Sequence, residues 1–456
     1  MDERTHDLEF GRIGPLLMKF ALPATVATLI NTTYNIVDRI FVARAVGPEG
    51  LAATTIAFPI MMIMMAFGMM FAYGSSALIS IALGRKCFRR AERILSQAFM
   101  LYVFLSVGFT TLGLLFLGPL LRLFGASETI LPYAEAYMRV ILLGTFFHEV
   151  SFGMNNLIRS EGNPRAAMYT MLIGAGLNLL LDPLFLFGFR WGIAGAAWAT
   201  ILAQAVSATW VLWYFTGGPS MLKLRRRWMW PRWRLFVGVV TTGCPPCIMT
   251  LINSVIHALM NHRLHAFGGD LAISVMGVIF SIRMVIGMPV MGLSQGAQPI
   301  YGYNLGAGQP DRVRRTLRLA MILATAACLA CWAIIQLAPE MLFRPFARPG
   351  AEALVTLGAH AVRRFMLLLP TVGAIFIAIS YFQAVKRPRS SLLLSLTRQV
   401  LAFLPALFLL PIWLGQDGIW LAAPVADLAA VLLAAALLAR ELRALRAEPA
   451  PQTLRV

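Results

Sequence analysis

The sequence predicts an all-α polytopic membrane protein, with about 12 transmembrane helices in two pseudo-symmetric six-helix bundles around a central cleft. Three observations predict this fold. Of the 456 residues, 59% are hydrophobic and only 13% are charged, which is more apolar surface than a soluble domain buries. The apolar residues fall into runs long enough to cross a bilayer. The second half of the chain also partly repeats the first.

The apolar runs give the order of the predicted helices. Several exceed the roughly 20 residues that a bilayer requires, which predicts tilted or kinked helices. The runs lack the short alternating pattern of β-barrel strands. The predicted spans are 15–42, 52–82, 96–120, 131–156, 167–189, 193–216, 236–262, 271–301, 317–340, 353–382, 392–414 and 418–440.

The net charge of +19 is concentrated in alternate loops. Basic residues cluster at 85–93, 159–165, 223–234, 312–318 and 386–389. This asymmetry follows the positive-inside rule, so we expect these loops and both termini in the cytoplasm. Separately, we expect the chain in a bacterial or archaeal plasma (inner) membrane. We expect the basic loops to contact anionic membrane lipids, and we expect no nucleic acid partner.

The internal repeat becomes visible when the chain is shifted by 222 residues. The segment TLIN occurs at 28–31 and again at 250–253, and Gly47 falls on Gly269. Each half has six spans, an even number, so an axis along the membrane normal should relate the halves. Secondary transporters bind substrate between such repeats and alternate access around it. The predicted parts are an N-terminal lobe at 1–216, a basic cytoplasmic linker at 217–235, a C-terminal lobe at 236–445 and a cytoplasmic tail at 446–456.

Two carboxylates lie deep within apolar spans of the first half, Asp38 and Asp182. A charged side chain at this depth costs about 2.5–3.5 kcal/mol on insertion scales, so it usually faces a cavity and serves a function. Other polar residues share a helix face with these two or lie on the next span: Asn31, Tyr34, Asn178 and Thr200.

This polar cluster suits two roles, which the residues alone leave open. Burial and mutual repulsion favour a proton on one carboxyl group near neutral pH. The same oxygens also suit a hard cation such as Na⁺. Pro23, fifteen residues before Asp38, is a candidate hinge in the same span.

Methionines crowd the second and eighth predicted spans, where flexible thioethers suit a promiscuous binding wall. The candidates for a drug-binding cleft are Asn31, Met61, Met65, Met69, Met284, Met288 and Gln298.

Other buried ionisable residues have less specific signals. Glu149 follows His148, but HEVSF is not the HExxH zinc motif, so Glu149 is a secondary candidate for a proton path. Arg283 and Arg398 lie in spans of the second half, where Asp427 is a possible partner. Nucleotide-binding and hydrolase motifs are absent from the sequence. We therefore expect no enzyme, cofactor or structural metal, and an ion gradient of H⁺ or Na⁺ as the driving force.

Several segments resemble multidrug and toxic compound extrusion (MATE) transporters, in particular the DinF-like branch. They include YNIVDRIFVARAVGPEGLAA, IRSEGNPR, GLNLLLDPLFLFGFRWGIAGAAWAT, GLSQGAQPIYGYNLGAG and GIWLAAPVAD. The resemblance covers nearly the whole chain and implies cation-coupled antiport of cationic or amphipathic drugs by alternating access. It also implies a cation site and a bending proline, which correspond here to Asp38, Asn178, Asp182, Thr200, Tyr137, Asn155 and Pro23.

We expect a monomer that exports small-molecule drugs or toxic amphipathic cations. Two alternatives differ in what the cleft must contain. A flippase for lipids or lipid-linked oligosaccharides requires a cationic cleft and often about fourteen spans. A membrane-embedded lipid-modifying transferase requires catalytic polar residues clustered at one interface. The acidic cluster and the repeat favour neither.

Overall fold

The computed structural model describes residues 3–230, 232–346 and 352–447. Within these ranges the side chains not described are those of 3–5, 48, 254, 255, 257, 258, 261, 265, 270, 273, 346 and 444–447. Helices account for the regular structure of the described ranges. Ten helices are long and apolar enough to cross a membrane, and one pair bent by 51° brings the number to 11.

The first half of the chain contains nine α-helices. They are α1 (Glu3–Phe10), α2 (Ile13–Ala45), α3 (Pro48–Gly84), α4 (Phe88–Leu115), α5 (Leu117–Leu123), α6 (Leu131–Leu143), α7 (Thr145–Ser160), α8 (Pro164–Pro183) and α9 (Gly192–Thr216). A π-helical turn, Leu184–Gly188, follows α8 directly. The fourth predicted span consists of α6 and α7, with only Gly144 between them.

The second half has α10 (Trp233–Gly306), α11 (Pro310–Leu337), α12 (Pro339–Phe343), α13 (Glu352–Phe365), α14 (Leu369–Ala384), α15 (Pro388–Leu396), α16 (Phe403–Leu414) and α17 (Gln416–Ala447). The helix α10 is bent where its backbone leaves helical geometry at Gly269. Its two parts contain the seventh and eighth predicted spans. The predicted spans therefore all fall on helices, and the all-α membrane fold is confirmed. The predicted basic linker, 217–235, runs from the end of α9 into the first residues of α10. The predicted tail from 448 onward lies outside the described residues.

Left-handed turns repeat between the two lobes. Gly47 has φ 89° and Gly269 has φ 61°, and each joins the first two spans of its lobe. Glycine adopts this conformation without the steric penalty that a Cβ atom causes. Lys86 and Gly308 form a second matching pair with positive φ. The backbone thus repeats the 222-residue shift seen in the sequence.

Glycines allow close packing of the lobes at one end of the bundle. This end carries the basic loops and is called the basic end below. A Cβ on Gly296 of α10 would lie 2.6 Å from the backbone nitrogen of Ala21 on α2. A Cβ on Gly243 would collide with the backbone of Met70 on α3. Larger residues at these positions would push the lobes apart.

Hydrogen bonds close the same end. Arg159 on α7 donates to Gln295 on α10 at 2.6 Å. The Tyr303 hydroxyl donates to Glu9 of α1 at 3.0 Å, and Arg312 donates to the Gly11 carbonyl at 2.8 Å. Between described residues of the two lobes, hydrogen bonds occur only in this basic half. The structure is therefore closed at the basic end.

The basic linker packs against the first lobe through two acidic residues. Arg225 donates to Glu92 at 2.8 Å, and the Lys223 backbone donates to the same carboxylate at 3.3 Å. Ser220 donates to the buried Glu161 at 2.6 Å. These bonds hold the connection between the lobes on the surface of the first one.

Candidate functional site: a carboxylate pair in the first lobe

The helix α8 begins at the basic end, and Asp182 lies in its last turn. Its first turn is capped by Asn163, whose side chain accepts from the Ala166 amide at 3.2 Å. The helix ends at Pro183, which has no N–H to donate to the preceding turn. The π-helical turn Leu184–Gly188 begins at this point, and such turns are frequent at functional sites. Asp182 is thus fixed where the regular helix stops.

Asn178 and Thr200 supply a chain of hydrogen bonds beside Asp182. Asn178, one turn earlier, donates to Asp182 Oδ1 at 3.2 Å. The same amide group donates to the Thr200 hydroxyl of α9 at 3.4 Å. Thr200 itself donates to the Ala196 carbonyl at 3.0 Å. Asn178 and Asp182 are buried, at 3% and 1% exposure.

Asp38 on α2 faces Asp182, and the two carboxyl groups lie within hydrogen-bonding reach of each other. We call these two residues the carboxylate pair. Asp38 Oδ1 and Asp182 Oδ2 are buried without a hydrogen-bond partner among the described residues, as is Asn178 Oδ1. All three are acceptor atoms, and an unsatisfied buried polar group costs about 1–3 kcal/mol, more when it is charged. A proton or a cation among these oxygens would offset this cost.

Two tyrosines form the wall of this site. Tyr34 lies one turn before Asp38 on α2, and Tyr137 comes from α6. Both are close enough to Asp38 and Asp182 to interact with them electrostatically. The sequence-based set of Tyr34, Asp38, Tyr137, Asn178, Asp182 and Thr200 is thus brought together by α2, α6, α8 and α9.

A cavity of about 80 Å³ adjoins the site within the first lobe. It is large enough for several water molecules. We call it the N-lobe cavity, and its polar lining consists of Asn31, Tyr34, His148, Ser151, Thr170, Asn178, Thr200, Gln204 and Ser207. Since Asn178 also binds Asp182, a molecule in the cavity is one hydrogen bond away from the carboxylate pair.

The structure does not bring Asn155 or Pro23 to the carboxylate pair. Asn155 on α7 donates to the Ala167 carbonyl at 2.6 Å. Ala167 is fifteen residues before Asp182 on α8, which corresponds to about 22 Å along the helix. Pro23 is equally far from Asp38 along α2, and the helix continues through it. Pro23 lies near the start of α2 and Asn155 contacts the start of α8, whereas the carboxylate pair lies near the other ends of these two helices.

Most of the drug-cleft candidates lie away from the N-lobe cavity. Asn31 lines it, but the candidate methionines of α3 and α10 and Gln298 do not. Met284 is 56% exposed on the protein surface, whereas Met288 is buried. The remaining candidates, Met61, Met65, Met69 and Gln298, are half-buried. Their helices are apolar on every side, so sequence pattern did not fix which face meets the cavity.

The second lobe has a different polar cluster. Arg398 donates to Asp427 at 2.7 Å, and both side chains are buried. This confirms the pairing predicted for Arg398. Arg283 has no hydrogen bond or ion pair with any residue of the described ranges. The described part of the second lobe therefore contains no counterpart of the carboxylate pair.

Sequence reasoning missed several cavity residues. Gln204 and Ser207 follow Thr200 at i+4 and i+7 on α9, so they extend the same polar face. This spacing could have predicted that Gln204 and Ser207 lie on the same helix face as Thr200. The position of His148 in the cavity wall had no comparable signal.

Comparison with known proteins identifies the family. A model of the MatE family matches residues 23–184 and again 245–408, so the same model fits both halves of the chain. The multidrug export protein MepA of Staphylococcus haemolyticus is 24% identical over 433 residues, with 95% of each chain covered. An FAD transporter of Shewanella oneidensis is 29% identical, covering 93% of this chain and 94% of its own.

Solved structures agree with this assignment. A ligand-bound structure of the MATE multidrug transporter DinF-BH is 36% identical, with a TM-score of 0.87 and coverage of 95% of this chain and 97% of its own. A crystal structure of MATE in complex with MaL6 is 23% identical, with a TM-score of 0.92 and coverage of 98% of this chain and 100% of its own, and shows the same fold. These relatives are transporters and not enzymes. With its membrane-spanning helices, its internal repeat and a family match over more than half its length, the chain belongs to the MatE family of membrane transporters.

Proposed function

We propose that this protein is a multidrug exporter that exchanges a cation, H⁺ or Na⁺, for cationic or amphipathic compounds. The single observation that carries the proposal is the carboxylate pair of Asp38 and Asp182, whose buried oxygens Oδ1 and Oδ2 have no donor among the described residues. The names of the relatives support the choice of cargo, because MepA is a multidrug export protein and DinF-BH is a multidrug transporter.

Neutralisation of the pair is the step that couples cation to cargo. A proton or Na⁺ between Asp38 and Asp182 holds α2 against α8. Without it, two like charges at this distance repel each other, and α2 moves away from α8. A positively charged drug bound beside the pair, in a state where the N-lobe cavity is wider, offsets the same negative charge. Cation and drug therefore compete for one charged site, and the difference in their affinities for the two states drives the exchange.

The closed basic end fits one stage of this cycle. By the positive-inside rule the basic end and both termini are cytoplasmic, so closure of this end supports an outward-facing stage of the cycle. In that state the cation enters from outside and the drug leaves. The protein acts as a monomer in the plasma membrane of its cell, with its basic loops on anionic lipids.

A second candidate function follows from the second lobe. Arg283 has no ion-pair partner among the described residues, and an unpaired guanidinium suits a phosphate group. The FAD transporter among the relatives carries such a cargo by name. Export of a pyrophosphate-bearing compound, such as FAD or a lipid-linked oligosaccharide, is therefore the alternative.

The test uses purified protein in liposomes, with one gradient imposed at a time. We expect export of ethidium to require either the pH gradient or the Na⁺ gradient. We also expect ethidium to be exported faster than FAD. Cargo movement that ignores both gradients would contradict cation exchange. Transport of FAD in preference to ethidium would favour the alternative. The variant Arg283→Gln then separates the two, because only the transport of a phosphate-bearing cargo should depend on it.

A further inference from the structure

Glu149 is a second buried acid in the first lobe, separate from the carboxylate pair. It lies on α7 with 0% exposure. Neither of its carboxylate oxygens has a hydrogen-bond partner among the described residues. Buried polar atoms are normally hydrogen-bonded, and one left without a partner costs about 1–3 kcal/mol. Nothing in the proposed exchange at Asp38 and Asp182 uses Glu149.

The packing around Glu149 leaves room for its carboxyl group and little else. On α3, Gly68 faces it directly, and a Cβ atom there would collide with the Glu149 carboxylate. On α4, Tyr102 lies close enough to interact with it electrostatically, and the Tyr102 hydroxyl also lacks a partner within the described ranges. The titratable groups facing Glu149 are therefore Tyr102 and, on its own helix, His148. No described residue of α8, α9 or α10 forms an ion pair or hydrogen bond with it.

His148 connects this site to the N-lobe cavity. Its Nδ1 atom is 3.5 Å from Glu149 Oε1, within ion-pair distance but longer than a hydrogen bond. The side chain is 27% exposed and lines the cavity that Asn178 and Thr200 also line. The ring is stacked on Phe152, one turn later, with an interplanar angle of 6°. His148 thus has one side towards cavity water and the other towards Glu149.

We propose that Glu149 is a second proton-binding site, loaded from the N-lobe cavity through His148. This inference rests on the proposed function for its role in transport. The ligand is a proton because a hard metal cation takes about six or more oxygen ligands, and this site offers only the oxygens of Glu149 and Tyr102. Proton transfer needs none of these ligands, only a donor within reach.

The loading step balances as a simple proton transfer. A hydronium ion that reaches the N-lobe cavity from the aqueous phase gives its proton to His148 and leaves as water, so His148 becomes an imidazolium beside the Glu149 carboxylate. A small rotation of either side chain turns the 3.5 Å separation into a hydrogen bond. The proton then passes from Nδ1 to Oε1, the N–H bond breaks, and the O–H bond forms. Neutral imidazole and a neutral carboxylic acid remain, so no net charge stays buried.

The test is infrared spectroscopy of the full-length protein in lipid, as a function of pH and without any drug. A protonated carboxylic acid has a C=O band that a carboxylate lacks. We expect this band to weaken in the wild type as the pH rises. In Glu149→Gln at low pH, the band should be weaker than in the wild type by the intensity of one carboxylic acid group. The matched control is Glu135→Gln on α6 in the same predicted span, where the side chain is 33% exposed beside Arg139. It should leave the band unchanged.

A second variant keeps the test decisive if Glu149→Gln folds poorly. His148→Gln retains Glu149 but removes the relay, so we expect the band to respond to a pH jump at least tenfold more slowly. A Glu149 band that is constant at every pH indicates a structural acid and overturns the proposal. Equal rates with and without His148 overturn the relay. The infrared test contains no drug, so its outcome does not depend on transport. Failure of the wild type to export dye from liposomes would contradict only the proposed exchange.

Discussion

Replacement of Asp182 by asparagine gives the most informative perturbation of the carboxylate pair. The amide keeps the shape of the carboxylate, and its oxygen still accepts the 3.2 Å bond from Asn178. Its N–H group supplies what the site lacks, a donor for the unpartnered Asp38 Oδ1. A hydrogen bond to a charged group contributes about 1.5–3 kcal/mol. The substitution also removes the repulsion between two like charges.

We therefore expect Asp182→Asn to be more stable than the wild type but inactive. At alkaline pH, where the wild-type pair has lost its proton, the free energy of unfolding should rise by about 1.5–3 kcal/mol. At acid pH the gain should shrink, because in the proposed exchange a proton bridges the wild-type pair. Export of ethidium under an imposed gradient should fall to the level of liposomes without protein.

Thermal unfolding of both proteins at acid and alkaline pH, together with dye export, measures these effects. The control is Asp311→Asn, since Asp311 is 78% exposed in a surface pair with Arg314. Such pairs contribute about 0–1 kcal/mol, so the control should differ little from the wild type in either assay. The reasoning is refuted if Asp182→Asn exports dye normally, or if its stability falls at alkaline pH.

Three further variants test other parts of the structure. Arg159→Ala removes the 2.6 Å bond to Gln295, so the basic end should open more often. Faster labelling of a cysteine introduced between the lobes would measure this opening. An unchanged labelling rate would show that this bond does not close the lobes. Gly68→Ala places a methyl group against Glu149 and should lower the free energy of unfolding by about 1–3 kcal/mol, whereas Gly108→Ala, which meets nothing within 4 Å, should not. Glu92→Ala removes the acceptor for Arg225 and Lys223, so limited proteolysis should cut the linker faster than in the wild type. The control is Glu128→Ala, whose side chain is 81% exposed. Equal cleavage rates in the two variants would contradict the linker's attachment through Glu92.

The sequence was sufficient to predict the spans and most of the carboxylate site. Long apolar runs fix helix positions because a bilayer sets their length. The pairing of Asn178 with Asp182 follows from a spacing of four residues on one helix. The meeting of Asp38 and Asp182 follows from the cost of leaving either one in lipid. These inferences need helix geometry and solvation only.

Other features could not be predicted, because they depend on how helices rotate and slide against each other. The methionines of α3 lie on a helix that is apolar on all sides, so no polar face shows its orientation. Asn155 corresponds to the cation site of DinF-like transporters by resemblance, yet its side chain donates to the Ala167 carbonyl near the other end of α8. The closeness of Gly68 to Glu149 is a contact between helices, and no local pattern encodes it.

The central claim is that drug and cation compete for Asp38 and Asp182, and ion release on drug binding tests it most directly. The purified protein is mixed with ethidium in weakly buffered solution, and released protons or labelled Na⁺ are counted per drug bound. The wild type should release about one cation from the pair, and the double variant Asp38→Asn, Asp182→Asn should lose that release. Equal release by the two proteins would contradict the claim.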